Sequence, residues 1–212
     1  MRNKITYYSL ILASAFLLSA CGPKKVAPAA TPTPTPKLIE IPVGERPIIN
    51  LTPREDGHML FLKISEIPKS VASIEYELIY SAKDESVEIE KGLGDTIKDV
   101  TSSLERKLLL GTESCTNGCK YKYDEGVNGG TLSLKFYNTN GQVSTYESSF
   151  VLKSTADLKK DKILKLSTDN FEVPLPAKLT GNNFFTLIKQ YRGGYSVFSS
   201  GTSTLSGDYP KP

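Results

Sequence analysis

Cys115 and Cys119 are the two side chains whose spacing most directly suggests chemistry, with Thr116, Asn117 and Gly118 between them. Thioredoxin-like redox catalysis uses a C-x-x-C spacing, which this pair exceeds by one residue. A zinc site needs further ligands, yet the chain has 3 Cys and 1 His in all. A structural disulfide is the expectation for Cys115 and Cys119, with free thiols as the alternative. Asn117-Gly118 supplies the left-handed tolerance that so short a loop demands. A loop of this size contributes about 2 kcal/mol through chain entropy, so the bond acts as a local staple.

His58 is the one histidine available to a Ser-His-Asp or Cys-His constellation, and it follows Gly57 at the start of an apolar run. Neither a Gly-x-Ser-x-Gly elbow nor a Ser-x-x-Lys motif occurs, and both phosphate-loop patterns are missing. Glu75 and Glu77 lie two residues apart on one strand face, about 6–7 Å by strand rise. Glycosidase carboxylates can sit at such a separation, but alternation explains the pair as the wet side of a half-buried strand. Asp124-Glu125-Gly126 with Asn128-Gly129-Gly130 offers oxygens without matching a calcium loop, so a turn is expected there. Tyr121 and Tyr123, with Tyr191 and Tyr195 around Arg192-Gly193-Gly194, offer recognition area at low entropy cost, or else core packing. No catalytic residue, cofactor or metal site is expected, and the chain is read as a non-enzyme.

The first twenty residues set the address. Arg2 and Lys4 precede Ile5–Leu18, an uncharged apolar run that ends in Leu18-Ser19-Ala20-Cys21. This run is short of the ~20 residues that span a bilayer core, and its ends are those of a signal peptide. Leu18 to Cys21 resembles the lipobox of bacterial lipoproteins, a resemblance confined to residues 1–22. It implies cleavage before Cys21, a diacylglycerol thioether on that sulfur, and membrane lipid as the partner. Two acyl chains hold a protein firmly, whereas one holds it only marginally. Gly22 stands where some Gram-negative lipoproteins carry a retention aspartate, which allows either the outer face of the cell membrane or the outer membrane.

Cleavage after residue 20 leaves 192 of the 212 residues, with 24 basic against 23 acidic side chains once Arg2 and Lys4 are gone. So balanced a charge excludes a nucleic-acid footprint, which needs a basic face. Residues 21–37 then form a Pro/Thr/Ala-rich tether, where Thr31-Pro-Thr-Pro-Thr-Pro36 favours polyproline II.

From Leu38 onward the elements that must hold any site are strands. Ile74, Tyr76, Leu78 and Tyr80 alternate with polar residues at a period of two. Met59–Leu62, Ser86–Ile89 and Leu104–Leu110 read as further strands, as do Ile163–Leu166, Asn170–Val173, Phe184–Ile188 and Tyr195–Phe198. Ser154–Lys162 reads as a short helix or linker. Thr131–Lys153 reads as a hairpin turning at Asn140-Gly141. A three-residue loop with Gly141 left-handed sets Leu134 opposite Tyr146, whereas a two-residue loop would set it opposite Glu147. Burial of one face selects the longer loop.

The pattern predicts an all-β fold, an antiparallel β-sandwich of immunoglobulin-like or fibronectin-like kind over residues 38–153. Residues 154–212 form a C-terminal β extension packed on it, being too few to stand alone. The expected function is a membrane-anchored envelope lipoprotein whose sandwich binds a protein or glycan or acts as a scaffold. The alternatives are an envelope hydrolase with an unrecognised site and a subunit of a surface or secretion assembly.

Overall fold

A computed structural model describes residues 36–210, so the expectations for the signal peptide, for lipidated Cys21 and for all but the end of the tether lie outside the described residues. Two antiparallel sheets face each other. The smaller has the order β1-β2-β5, built from Ile48–Pro53, Met59–Ser65 and Ser103–Leu109. The larger has the order β14-β13-β12-β9-β8-β3-β4. Its strands are β3 (Val71–Asp84), β4 (Val87–Lys98), β8 (Gly129–Asn138), β9 (Val143–Ser154), β12 (Phe184–Lys189), β13 (Tyr195–Ser199) and β14 (Gly207–Tyr209). The architecture is all-β and sandwich-like.

Alternation drives the pairing. In β3, Ile74, Tyr76, Leu78 and Tyr80 all point into the core, and Ile74 and Leu78 are wholly buried. Leu51, Leu62 and Leu108 of the small sheet meet them, with Leu132, Leu134 and Phe136 from β8. Burying such side chains removes them from water at about 1.5–3 kcal/mol each, the main stabilising term in a sandwich. One-residue slips would turn these leucines outward, so burial fixes the register. Leu134 lies opposite Tyr146 and Phe136 opposite Ser144, as the three-residue loop requires. Gly141 closes that loop with φ +73°.

The chain after Ser154 continues the same sheet. β12 pairs with β9, setting Leu187 beside Val151 and Ile188 beside Phe150, and β13 and β14 follow outward. β12 is buried on both faces: Ile188 joins the sandwich core, while Phe185 and Leu187 face the other way. Over that second face lie helix α1 (Thr155–Asp161) and the small hairpin of β10 (Leu164–Leu166) and β11 (Phe171–Val173). Leu158, Leu164, Leu166 and Val173 cover Phe185 and Leu187, forming a second apolar cluster. The described residues form one compact unit.

Helix α1 begins because Ser154 and Asp157 cap each other. The Ser154 hydroxyl accepts from the Asp157 N–H, and the Asp157 carboxylate accepts from the Ser154 N–H. It ends where Lys162 turns left-handed.

Candidate functional site

Between the sheets' ends a third element emerges directly from β5. β6 (Gly111–Cys115) and β7 (Cys119–Tyr123) form a two-stranded hairpin whose residues are almost all exposed. Gly111 is required at its root, since a Cβ there would collide with the Lys122 carbonyl. Cys115 and Cys119 are the last pair of its ladder and are joined by a disulfide, with Cα atoms 4.2 Å apart. Gly118, at φ +92°, makes the turn. The bond closes the hairpin tip, and both sulfurs are used in it. Among the described residues, Glu113 is the carboxylate grouped with them, which is short of an ordinary tetrahedral metal set.

The hairpin presents aromatic rings along one side. Tyr121 and Tyr123 stack with centroids 6.0 Å apart, and His58 stacks on Tyr123 at 4.4 Å with planes within 5°. The Arg54 guanidinium lies 5.5 Å from the Tyr123 centroid and donates to its hydroxyl at 3.2 Å. Asp56 grips the same guanidinium at 2.7 and 2.5 Å and also accepts the His58 backbone N–H. That contact with Arg54 holds the Asp56 carboxyl below its ordinary range. Tyr121 ends the stack and is 47% exposed. The neighbouring Glu113 carboxylate pushes the Tyr121 phenol up. The arrangement is a short aromatic ladder, ordered at its inner end by an ion pair and open at its outer end. It can stack against a planar or apolar ring and offers carboxylate and lysine groups beside it.

The other residues singled out from sequence have structural partners. Asp124 is nearly buried; its two oxygens accept from the Tyr80 hydroxyl at 2.7 Å and from Lys91 at 2.5 Å. Burial first, and Asp124 second, push the Tyr80 phenol well above its ordinary range. The segment after Asp124 is tied to β3 by the Lys83–Glu125 bridge. Glu75 accepts from Lys135 at 2.6 Å and Tyr137 at 3.1 Å, and Lys135 holds its carboxyl below the usual range. Glu77 is exposed on the same face of β3. Tyr191 stacks on Phe136 at 5.7 Å under the Arg46 guanidinium, and its hydroxyl meets Ser144. Tyr195 is buried against Phe171 with centroids 3.7 Å apart. These two tyrosines pack, whereas Tyr121 at the open end of the hairpin stack is exposed.

Sequence reasoning missed the role of Arg54, whose only hint was its position four residues before the lone histidine. It also missed the joint formed by Arg46 and Arg192. The Arg192 guanidinium donates to the Arg46 carbonyl and to Glu66, the latter at 2.6 Å. Residues so far apart in the chain leave no local signal. Among the described residues no helix is long and apolar enough to cross a membrane. The fold and this surface define an all-β, sandwich-like protein with an aromatic, disulfide-closed hairpin. Comparison with known protein families, characterised proteins and solved structures finds no match to this chain.

Proposed function

We propose that the chain is a lipid-anchored protein of a bacterial envelope whose β-sandwich binds or scaffolds rather than catalyses. The observation that carries the anchor is Leu18-Ser19-Ala20-Cys21 behind a basic start and an uncharged apolar run. Acylation of Cys21 would hold the domain at a membrane face, and the Pro/Thr-rich tether would set it at a distance.

The binding half of the reading is supported by the hairpin. His58, the residue on which histidine-dependent catalysis would have to rest, is stacked on Tyr123, and both thiols that could pair with it are in the disulfide. What the surface offers instead is exposed Tyr121 at the end of an ordered stack, suited to a protein or glycan partner of the envelope.

Metabolic labelling with palmitate tests the anchor. Label on the wild-type chain, lost in Cys21→Ser and blocked by globomycin, is the expected result. Release of an unlabelled wild-type chain would refute it. For the binding surface, Tyr121→Ala should weaken retention of an envelope partner without altering the fold by circular dichroism.

A further inference from the structure

We propose that β4 is a dimerisation strand, pairing antiparallel with β4 of a second copy about a two-fold axis through Leu93. β4 is the edge of the large sheet: it pairs with β3 over twelve successive positions without a bulge, and no described strand pairs with its other side. Long, regular, unprotected edges invite pairing, and proteins usually blunt them. Two other margins are blunted, and the remaining one, β5, is a shorter edge of seven residues. β14 is only three residues long and runs into Pro210. The free side of β1 is covered by side chains, with Gln190 bonded to both the N–H and the carbonyl of Ile49 and Thr186 bonded to the Leu51 carbonyl. β4 carries no such cover and no proline.

The backbone shows which groups are free. Val100 N–H donates to the Ala72 carbonyl, and Lys83 N–H donates to Glu125 on the β8 side. Even-numbered residues of β3 therefore point their backbone groups at β4, and odd-numbered ones point away. Because Leu78 lies opposite Leu93, the odd residues of β4 are bonded to β3 and the even ones face outward. The Thr96 N–H confirms this direction, since its partner is the Asp95 side chain at 2.7 Å rather than a strand.

The sequence of the strand is self-complementary about its centre. A two-fold perpendicular to the sheet keeps each face, so residues pair by equal displacement from the axis. With the axis at Leu93, Leu93 meets its own copy, Lys91 meets Asp95, and Ile89 meets Ile97. On the other face Gly92 meets Gly94, Glu90 meets Thr96, and Glu88 meets Lys98. Every pair beyond the centre occurs twice. Gly92, Glu90 and Glu88 then exchange backbone hydrogen bonds with Gly94, Thr96 and Lys98, using the outward groups. Moving the axis by one residue sets Ile89 against Asp95 or Lys91 against Ile97, which destroys the match. Glu88 and Lys98 are exposed and belong to no ion pair among the described residues, so they are available to each other across the axis. Asp95 would leave the Thr96 N–H to a strand carbonyl and take Lys91 of the second copy as a further partner.

The occupant of this edge is a second copy of the same chain, independent of whether Cys21 is acylated. Sedimentation of the full chain in density-matched detergent should give a dimer mass. Lys98→Glu should raise the dissociation constant about tenfold, because it replaces two opposite-charge pairs by two like-charge ones. Glu88→Lys with Lys98→Glu should bring affinity back towards wild type. A Cβ at Gly92 would make only ordinary contacts, 3.9 Å from Ile79 and the Leu78 carbonyl, so Gly92→Pro should keep the fold while removing an outward N–H, and should favour the monomer. Under mild oxidation Leu93→Cys should form a covalent dimer, whereas Lys98→Cys, displaced from its own copy, should not. A monomer mass at the highest soluble concentration overturns the proposal. So does a dimer that ignores the charge exchange and yields no Leu93→Cys product.

Discussion

The imidazole of His58 lies flat on the phenol ring of Tyr123, with centroids 4.4 Å apart and planes within 5°. This contact joins the residue before β2 to the end of β7. The exposed hairpin has few buried groups of its own, so the stack and the Arg54 hydrogen bond hold it against the sandwich.

His58→Ala should therefore lower stability by about 0.5–1 kcal/mol, the range of an aromatic pair on a half-exposed surface. Tyr123→Phe keeps the ring and loses only the Arg54 hydrogen bond, so its loss should be smaller. Urea unfolding of both variants ranks them. A His58→Ala protein that keeps its stability but loses a catalytic turnover would reverse the structural reading of this histidine.

Reduction of Cys115–Cys119, or Cys115→Ser with Cys119→Ser, costs about 2 kcal/mol of stability, because opening the loop returns its closure entropy to the unfolded chain. Because residues 111–123 are mostly exposed, the loss should be felt locally. Hydrogen exchange should accelerate in the hairpin, while the midpoint of global unfolding moves less than that figure implies. A fall of the full amount in global stability would show that the hairpin unfolds only together with the sandwich.

Phe136 and Phe185 sit in the two different apolar clusters and are both nearly inaccessible. Phe→Ala in a core typically costs about 3–5 kcal/mol. β12 carries Ile188 into one cluster and Leu187 into the other, so the clusters share a strand. Phe136→Ala and Phe185→Ala should each lower one common thermal transition. Two transitions in calorimetry, one touched by each variant, would mean that the C-terminal strands unfold separately.

Much of this fold was legible because its strands alternate. Ile74 to Tyr80 and Leu132 to Phe136 advertise their buried faces, and the turn at Asn140-Gly141 fixed their register by burial alone. β4 was legible only at its start, as Ser86–Ile89, because Gly92 and Gly94 interrupt the pattern that would have carried the strand to Lys98. The hairpin of β6 and β7 showed its cysteines but not its strands, since it buries no face and so has no apolar period. Double burial of β12 was likewise hidden: a short apolar run does not say which neighbours cover its two sides. At the candidate site, sequence pointed to Tyr121 together with Tyr123, and to His58 apart from them. Their stacking depends on the long-range approach of β2 and β7, which no local spacing encodes.

Acid should loosen the cap of α1. Ser154 donates to the Asp157 carboxylate through both its N–H and its hydroxyl, at 2.9 and 2.7 Å, and the hydroxyl contact is the chief cause holding Asp157 below its ordinary range. A carboxyl whose folded pKa lies below its unfolded one stabilises the fold fully above the unfolded value near 4, and that contribution is lost as pH falls through the folded value. The cap matters beyond the helix, because Leu158 on the next turn is wholly buried in the second cluster. Ser154→Ala should cost about 1 kcal/mol at neutral pH, as N-cap removal does. Asp157→Asn should flatten part of the fall in stability between neutral and acidic pH while lowering the neutral plateau. Chemical denaturation at a series of pH values compares the slopes. Parallel wild-type and Asp157→Asn curves would show that the acid sensitivity lies elsewhere, with Glu75 and Asp56, both held low by basic partners, as the next groups to substitute.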